Sequence, residues 1–384
     1  MIELVNFFKV ERNLAVLLLL ATMVGLAMAN FGAMKTVETV ETIDLGISTF
    51  SFTLQGWIYN FGIPAFFALI GLELRREFHT GIFQDRKALL APVLSAVLGV
   101  AFPAALYLAI AGVHGRNSLG WPIPTATDVT FALAVYMLFG KKLPRSARVF
   151  LLAFAIIDDV IGILIITFLY SGAVSAIPSF FALMSVVAFA VLGLGITRVG
   201  SSFLRTLIGI AMVTTACLTV YLTLAAGIQP TIAGVLLGLL VPVKTGTRVE
   251  TAMHPWIAGL VLPAFAFMAA AVPVSFGSAL QEPVFWAILT RPIGKVVGIT
   301  LGAYIAYKFV GPVKDLPMKT VFRVSFLGGI GFTVSLLFCQ ISFTMEPGIR
   351  SAATAATLFA AAISAVAGAI ALKTQRAETV TDRT

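Results

Sequence analysis

The chain has 384 residues, of which 59% are hydrophobic and only 11% charged, and its mean hydropathy is +1.01. A soluble domain carries about 45–50% apolar and about 25% charged residues, so these values exclude an ordinary soluble enzyme, a disordered chain and a secreted disulfide scaffold. Only a polytopic helical membrane protein fits, because lipid forces every backbone polar group to pair within its own segment.

A spanning helix takes roughly 20 apolar residues. About twelve runs qualify on that length scale, near 13–32, 56–72, 88–111, 121–139, 149–170, 178–197, 206–224, 228–243, 257–275, 284–304, 324–343 and 351–371. The first follows Lys9 and Arg12 and passes Ala27-Met28-Ala29, which resembles a secretory leader with a small-residue cleavage site. The run from Asn13 is long enough to span, so it is expected to be retained. Between the first two runs, residues 45–54 (LGISTFSFTL) alternate weakly and suggest a short external hairpin. Gly227, Gln229 and Pro230 break the long apolar stretch 206–243 into two. Cys217 and Cys339 lie inside apolar runs and read as small core hydrophobes. The tail 373–384 is polar.

The net charge of +9 raises the possibility of nucleic-acid binding, and the distribution of the charge excludes it. Of the 26 Lys and Arg, only Lys35, Arg116 and Arg350 fall outside when the N-terminus is placed inside, Arg291 and Lys295 fall within a span, and the other 21 lie inside. That asymmetry is the positive-inside pattern. An even number of spans then puts both termini in the cytoplasm.

Of the 17 acids, all but Asp128, Asp158 and Asp159 lie in loops, tails or span ends. A charge at the bilayer centre costs about 2.5–3.5 kcal/mol, so three represent on the order of 8–10 kcal/mol that packing alone does not justify. Ion or proton translocation does. Asp158 and Asp159 are about 100° apart around a helix and can share one cavity. Two carboxylates so close cannot both ionise cheaply in a low dielectric. Such a doublet can hold a proton and trade it for a small hard cation.

Asp128 follows Trp121-Pro122-Ile123-Pro124-Thr125-Ala126-Thr127, where prolines and threonines favour a broken helix with freed carbonyls. Thr127 is then a candidate neutral ligand, unless its hydroxyl bonds back to its own helix. Lys295 is the cationic counterpart, able to pair with a buried acid, with snorkelling to an interface as the alternative. Arg291, one turn closer to the outer end, is expected to snorkel. A second irregular span carries Gly328-Gly329-Ile330-Gly331-Phe332-Thr333, for which close helix packing is the competing reading. Two broken spans, one per half, suggest inverted repeats at about 88–170 and 284–371, with Asp128 and Lys295 suited to balance the half-helix ends.

The strings GLELRRE (71–77), PTATDVTFAL (124–133), LAFAIIDDVIGILII (152–166), PTIAGV (230–235), MHPW (253–256), IGKVVGI (293–299) and GGIGFTVS (328–335) resemble the NhaA-type bacterial Na⁺/H⁺ antiporters, themselves an example of inverted-repeat carriers. The resemblance runs in order along nearly the whole chain. It implies one antiporter domain over 1–384: an all-α polytopic membrane protein of about twelve transmembrane helices, the fourth and eleventh unwound and crossing at mid-membrane. It implies Na⁺ or Li⁺ carried against a larger number of protons in the bacterial inner membrane, with no cofactor, and a homodimer joined partly through the external hairpin.

Residue by residue, Asp159 matches the principal cation ligand, with Asp158 beside it and Thr127 and Asp128 in the crossing. Lys295 matches the lysine that pairs with the first Asp of the doublet. Glu73, Arg76, Glu77, Glu250 and His254 match a cytoplasmic cluster tied to pH activation, for which solvated loop charges are the alternative. Three departures stand out. Gln229 replaces a family histidine, Glu250-Thr251 thins the acidic-histidine pair, and Val296 stands where a proline usually follows the lysine.

The expected function is electrogenic Na⁺(Li⁺)/H⁺ antiport by movement of one repeat bundle against the other, cation and protons competing for Asp158 and Asp159. Activity is expected to rise with pH. An intramembrane aspartyl hydrolase using Asp128 and the doublet, a cation channel, and a sodium-coupled organic-anion symporter are the rival readings.

Overall fold

The computed structural model describes residues 11–46, 52–80, 86–170, 174–274 and 276–374. Its long elements are α1 (Glu11–Asn30), α2 (Met34–Glu41), α3 (Ile63–Thr80), α4 (Arg86–Ala111), α5 (Val129–Phe139) and α6 (Arg145–Leu169). They continue with α7 (Ala176–Ile196), α8 (Ser202–Ala225), α9 (Pro230–Leu240), α10 (Val243–Trp256) and α11 (Leu262–Ala270). The last five are α12 (Pro283–Leu289), α13 (Arg291–Val310), α14 (Met318–Gly328), α15 (Thr333–Ser342) and α16 (Pro347–Lys373).

Among the described residues, ten helical stretches are long and apolar enough to cross a membrane, and the pair α14 and α15, bent by 47° at its break, makes an eleventh. The eleven-residue apolar helix α9 accounts for the remaining run of the sequence, too short to span alone. The expected all-helical fold stands. The described residues hold no strand, only an isolated antiparallel bridge between Asp44 and Thr53. Leu45 N–H donates to Phe52 O at 3.1 Å and Leu54 N–H to Ile43 O at 2.8 Å. These are the flanks of the expected hairpin, whose tip at 47–51 lies outside the described residues, as does the tail beyond Thr374.

The chain divides into two compact units. One takes 1–84 and 163–271 and holds α1 to α3 and α7 to α11. Within it α9 packs on α3, α7 on α8 and α11 on α1. Gly234 and Gly238 lie against the carbonyls of Pro64 and Ala68, where no Cβ would fit. The polar stretch 244–256, expected as a loop between spans, is helix α10, which runs through a π-helical turn (Ile257–Val261) into α11.

The other unit takes 85–162 and 272–384, and its most extensive packing is α13 on α4. Gly294, Gly298 and Gly302 form a stripe at four-residue spacing, and a Cβ on any of them would overlap the backbone of Pro103, Leu98 or Leu94. This is the small-residue contact that lets backbones approach closely in lipid, where packing replaces the hydrophobic effect. Ser95 Oγ adds a bond to Ile299 O at 2.9 Å. The close contact fixes α13, and with it Arg291 and Lys295. Phe150, Leu151 and Phe154 of α6 and Val321, Val324 and Leu327 of α14 complete this core.

Two spans of this unit are interrupted. A 3-10 turn (Ile123–Thr125) leads into extended residues 126–128 before α5, where Pro122 and Pro124 lack the N–H groups a continuous helix needs. Residues 329–332 separate α14 from α15.

Candidate functional site

The interrupted segments satisfy each other. Every carbonyl from Gly328 to Phe332 has a partner: Thr127 Oγ1 on Gly328, Gly331 N–H on Gly329, Asp128 N–H on Ile330, Arg291 on Gly331 and Leu336 N–H on Phe332. A broken helix in lipid must re-pair its backbone, and here the opposing segment and a buried arginine do so.

Asp128 is buried, and its carboxylate sits at two helix N-termini. Oδ1 accepts from Phe131 N–H at 3.2 Å at the start of α5. Oδ2 accepts from Thr333 N–H at 3.1 Å and from its hydroxyl at 2.8 Å at the start of α15. A carboxylate so engaged offsets the positive ends of both half-helices. Among the described residues no three His, Cys, Asp or Glu side chains are set to hold a metal ion.

Thr127 is buried, and its hydroxyl donates across the crossing to Gly328 O at 2.7 Å rather than to its own helix. With the hydrogen committed, its oxygen lone pairs remain available, and the residue faces the Asp158 carboxylate.

Asp158 and Asp159 lie midway along α6. Lys295 Nζ donates to both oxygens of Asp158, at 2.8 and 2.9 Å, with the two side chains only 1% exposed. Asp159 is half-buried and within electrostatic reach of Lys295. Asp158, Lys295 and Thr127 are therefore brought together with Asp159 alongside, and Asp128 is turned to the helix ends.

Two expectations need correction. Arg291 does not snorkel: it is 0% exposed, and Nη1 donates to Gly331 O at 2.8 Å while Nη2 donates to Ile123 O at 2.7 Å and Ser335 Oγ at 2.8 Å. Its long side chain could have reached either an interface or these oxygens, and the tertiary acceptors decide. Lys295, expected to share the balancing of the half-helix ends, is spent on Asp158, and Arg291 takes the carbonyls. Thr333 and Ser335 carry contacts that the sequence reading did not assign. The available signal was a hydroxyl at the start of a half-helix following a glycine run.

The other unit carries the second group of candidates. Arg76 on α3 donates to both carboxylate oxygens of Glu250 on α10, at 2.7 and 2.9 Å, and lies 4.0 Å from Glu77. Glu73 is half-buried close to these three charges. His254 is half-buried one turn beyond Glu250 on the same helix. All five are helical, so the alternative of loop charges is excluded for their backbone. Arg75, not singled out from sequence, donates to Leu239 O at the end of α9, where a cation suits the helix terminus. Gln229 Nε2 donates to Tyr170 O at 3.2 Å, and Thr251 bonds back to Thr247 O at 2.7 Å. With Val296 in place of proline, α13 runs on from Pro292, which stands in the first turn where a missing N–H costs nothing.

The chain matches the family described as Na⁺/H⁺ antiporter 1 over residues 5–372. It is 39% identical over 376 residues to the Na⁺/H⁺ antiporter NhaA 2 of Clavibacter michiganensis subsp. michiganensis, covering 96% of this chain and 91% of that one. It is 33% identical over 389 residues to the Na⁺/H⁺ antiporter NhaA of Salmonella arizonae, covering 95% and 96%. Among solved structures, the sodium proton antiporter MjNhaP1 of Methanocaldococcus jannaschii superposes with a TM-score of 0.57 over 93% of this chain and 90% of that one. Identity there is 13%, so the likeness is one of fold alone.

Proposed function

Because the chain belongs to the Na⁺/H⁺ antiporter 1 family, we propose that it is an electrogenic antiporter exchanging cytoplasmic Na⁺, or Li⁺, for external protons by alternating access. Na⁺/H⁺ antiport by a multi-pass membrane protein is the family's activity, and the chain is a transporter rather than an enzyme. The finer reading places the exchange at Asp158 and Asp159.

The observation that carries it is the buried Lys295–Asp158 pair with Asp159 beside it. Two ionised carboxylates and one ammonium leave a single negative charge, which either a proton or Na⁺ neutralises. The two cargoes therefore compete for one vacancy, and competition at one site couples their fluxes without a separate gate. Thr127 supplies a neutral oxygen to the cation, and Asp128 holds the half-helices that frame it. A second proton, released from Lys295 when Na⁺ takes Asp158 out of their pair, makes more protons than cations move per cycle, so the exchange carries net charge. No bound cofactor takes part.

Further parts of the proposal follow the same support. The spans of 88–170 and of 284–371 each place an interrupted span in the middle of three, consistent with inverted repeats. The excess of Lys and Arg on one side of the spans supports cytoplasmic termini in a bacterial inner membrane. The paired flanks of the 45–54 segment offer an external hairpin for a homodimer. The Arg76–Glu250 link, with Glu73, Glu77 and His254, is assigned to pH regulation.

Everted vesicles from an antiporter-deficient strain, acidified inside and reported by a pH dye, test the reading. NaCl and LiCl should collapse the gradient and KCl should not, more strongly at pH 8.5 than at 6.5. Failure of every cation at every pH would overturn it, and sodium-coupled solute uptake would favour the symporter.

A further inference from the structure

Arg291 opens α13 as a fully buried cation whose acceptors are all neutral oxygens. Among the described residues no carboxylate pairs with it, and its Nε has no hydrogen-bond partner. A guanidinium is costly to bury in lipid, and three short bonds offset that cost. The acceptors belong to both interrupted spans: Ile123 O precedes one break, Gly331 O lies within the other, and Ser335 Oγ is in the first turn beyond it. The planar fork of arginine suits such bridging, because its two terminal nitrogens diverge in fixed directions.

The same two segments meet at three further points, Thr127 Oγ1 on Gly328 O at 2.7 Å, Asp128 N–H on Ile330 O at 2.6 Å and the Asp128 carboxylate with Thr333. Arg291 supplies a fourth connection, from a different helix. Its spacing from Lys295 is four residues, which puts both cations on one face of α13. The helix that holds the crossing is thus the helix that presents Lys295 to Asp158.

We propose that Arg291 is a positioning residue that clamps the two extended segments in the register at which Thr127 stands beside Asp158, and that by taking the carbonyls of the crossing it leaves Lys295 for Asp158. The inference rests on the reading of Asp158 and Asp159 as the cation site.

The test uses the full-length protein in proteoliposomes, comparing Arg291→Lys, Ser335→Ala and Asp159→Asn with wild type. Arg291→Lys keeps the charge and loses the fork. It should raise the apparent KM for Na⁺ about tenfold while the maximal rate stays within about threefold, the pattern of a weakened cation site. Ser335→Ala, which removes one acceptor and keeps the arginine, should raise the KM about two- to threefold and decides the matter if Arg291→Lys does not fold. A KM unchanged in both variants overturns the proposal. So does a loss of melting temperature or abundance with the KM intact, which marks a purely structural arginine. If Asp159→Asn still transports Na⁺, the functional reading has failed instead. If Asp159→Asn is dead and Arg291→Lys is wild type, only the positioning role has failed.

Discussion

Asp128 and Thr333 stand 205 residues apart in the sequence, and the carboxylate of the first caps the helix that the second begins. The same carboxylate caps its own helix through Phe131 N–H. One anion therefore terminates two half-helices whose N–H groups would otherwise be orphaned in lipid. Removing it should cost about 2–4 kcal/mol for Asp128→Ala, the sum of two caps, and roughly half that for Asp128→Asn, which keeps an acceptor. Thr333→Val, losing only the hydroxyl, should cost about 1 kcal/mol. Thermal unfolding of the three variants in detergent gives the ranking, and a melting temperature untouched by Asp128→Ala would contradict it.

The buried pair of Lys295 and Asp158 makes a different prediction. Breaking a buried pair by removing one partner leaves an uncompensated charge and costs about 3–5 kcal/mol, whereas removing both is close to neutral. Asp158→Asn and Lys295→Met should each melt well below wild type, and the double variant should recover most of the loss. Transport should not recover, because the double variant lacks the Asp158 carboxylate as a ligand for the cation. Melting curves and vesicle transport on the same preparations check both halves.

Packing of α13 on α4 gives a test away from any charge. A Cβ at Gly298 would overlap the Leu98 carbonyl, whereas a Cβ at Gly209 meets nothing. Gly298→Ala should therefore destabilise by about 1–3 kcal/mol or more through overpacking. Gly209→Ala, in an open helical position, should be neutral or stabilising by about 0.5–1 kcal/mol. Equal melting temperatures for the two variants would show that α13 and α4 do not approach so closely.

The Arg76–Glu250 link is partly exposed, with side-chain exposures of 43% and 20%. Such pairs contribute about 0–1 kcal/mol, so Arg76→Gln and Glu250→Gln should leave the melting temperature nearly unchanged. If the link regulates transport, both should alter its dependence on pH while sparing the rate at the optimum. Activity profiles from pH 6.5 to 8.5 distinguish this from an inert surface pair, for which the profiles would superpose on wild type.

The spans were legible because lipid imposes one requirement on every segment, and length plus hydropathy reports it. The polar helix α10 was not, since Thr245, Glu250 and His254 break the apolar run that such reading depends on. The interruption at 126–128 was visible in its prolines, and the one at 329–332 in its glycines. Which groups re-pair the freed backbone was invisible, because Arg291 and Gly331, or Asp128 and Thr333, meet only through the tertiary fold. Arg291 illustrates the limit: composition marks it as an expensive charge, and only its neighbours separate snorkelling from clamping.

The central claim is that Na⁺ and protons occupy the same carboxylates. Calorimetric titration of the purified protein with NaCl between pH 6.5 and 8.5 tests it directly. Competition predicts that the Na⁺ dissociation constant falls as pH rises, by up to about tenfold per unit for each proton displaced. It also predicts that protons are released on binding and that Asp159→Asn binds no Na⁺. A dissociation constant independent of pH, or Na⁺ binding that survives Asp159→Asn, would contradict the account.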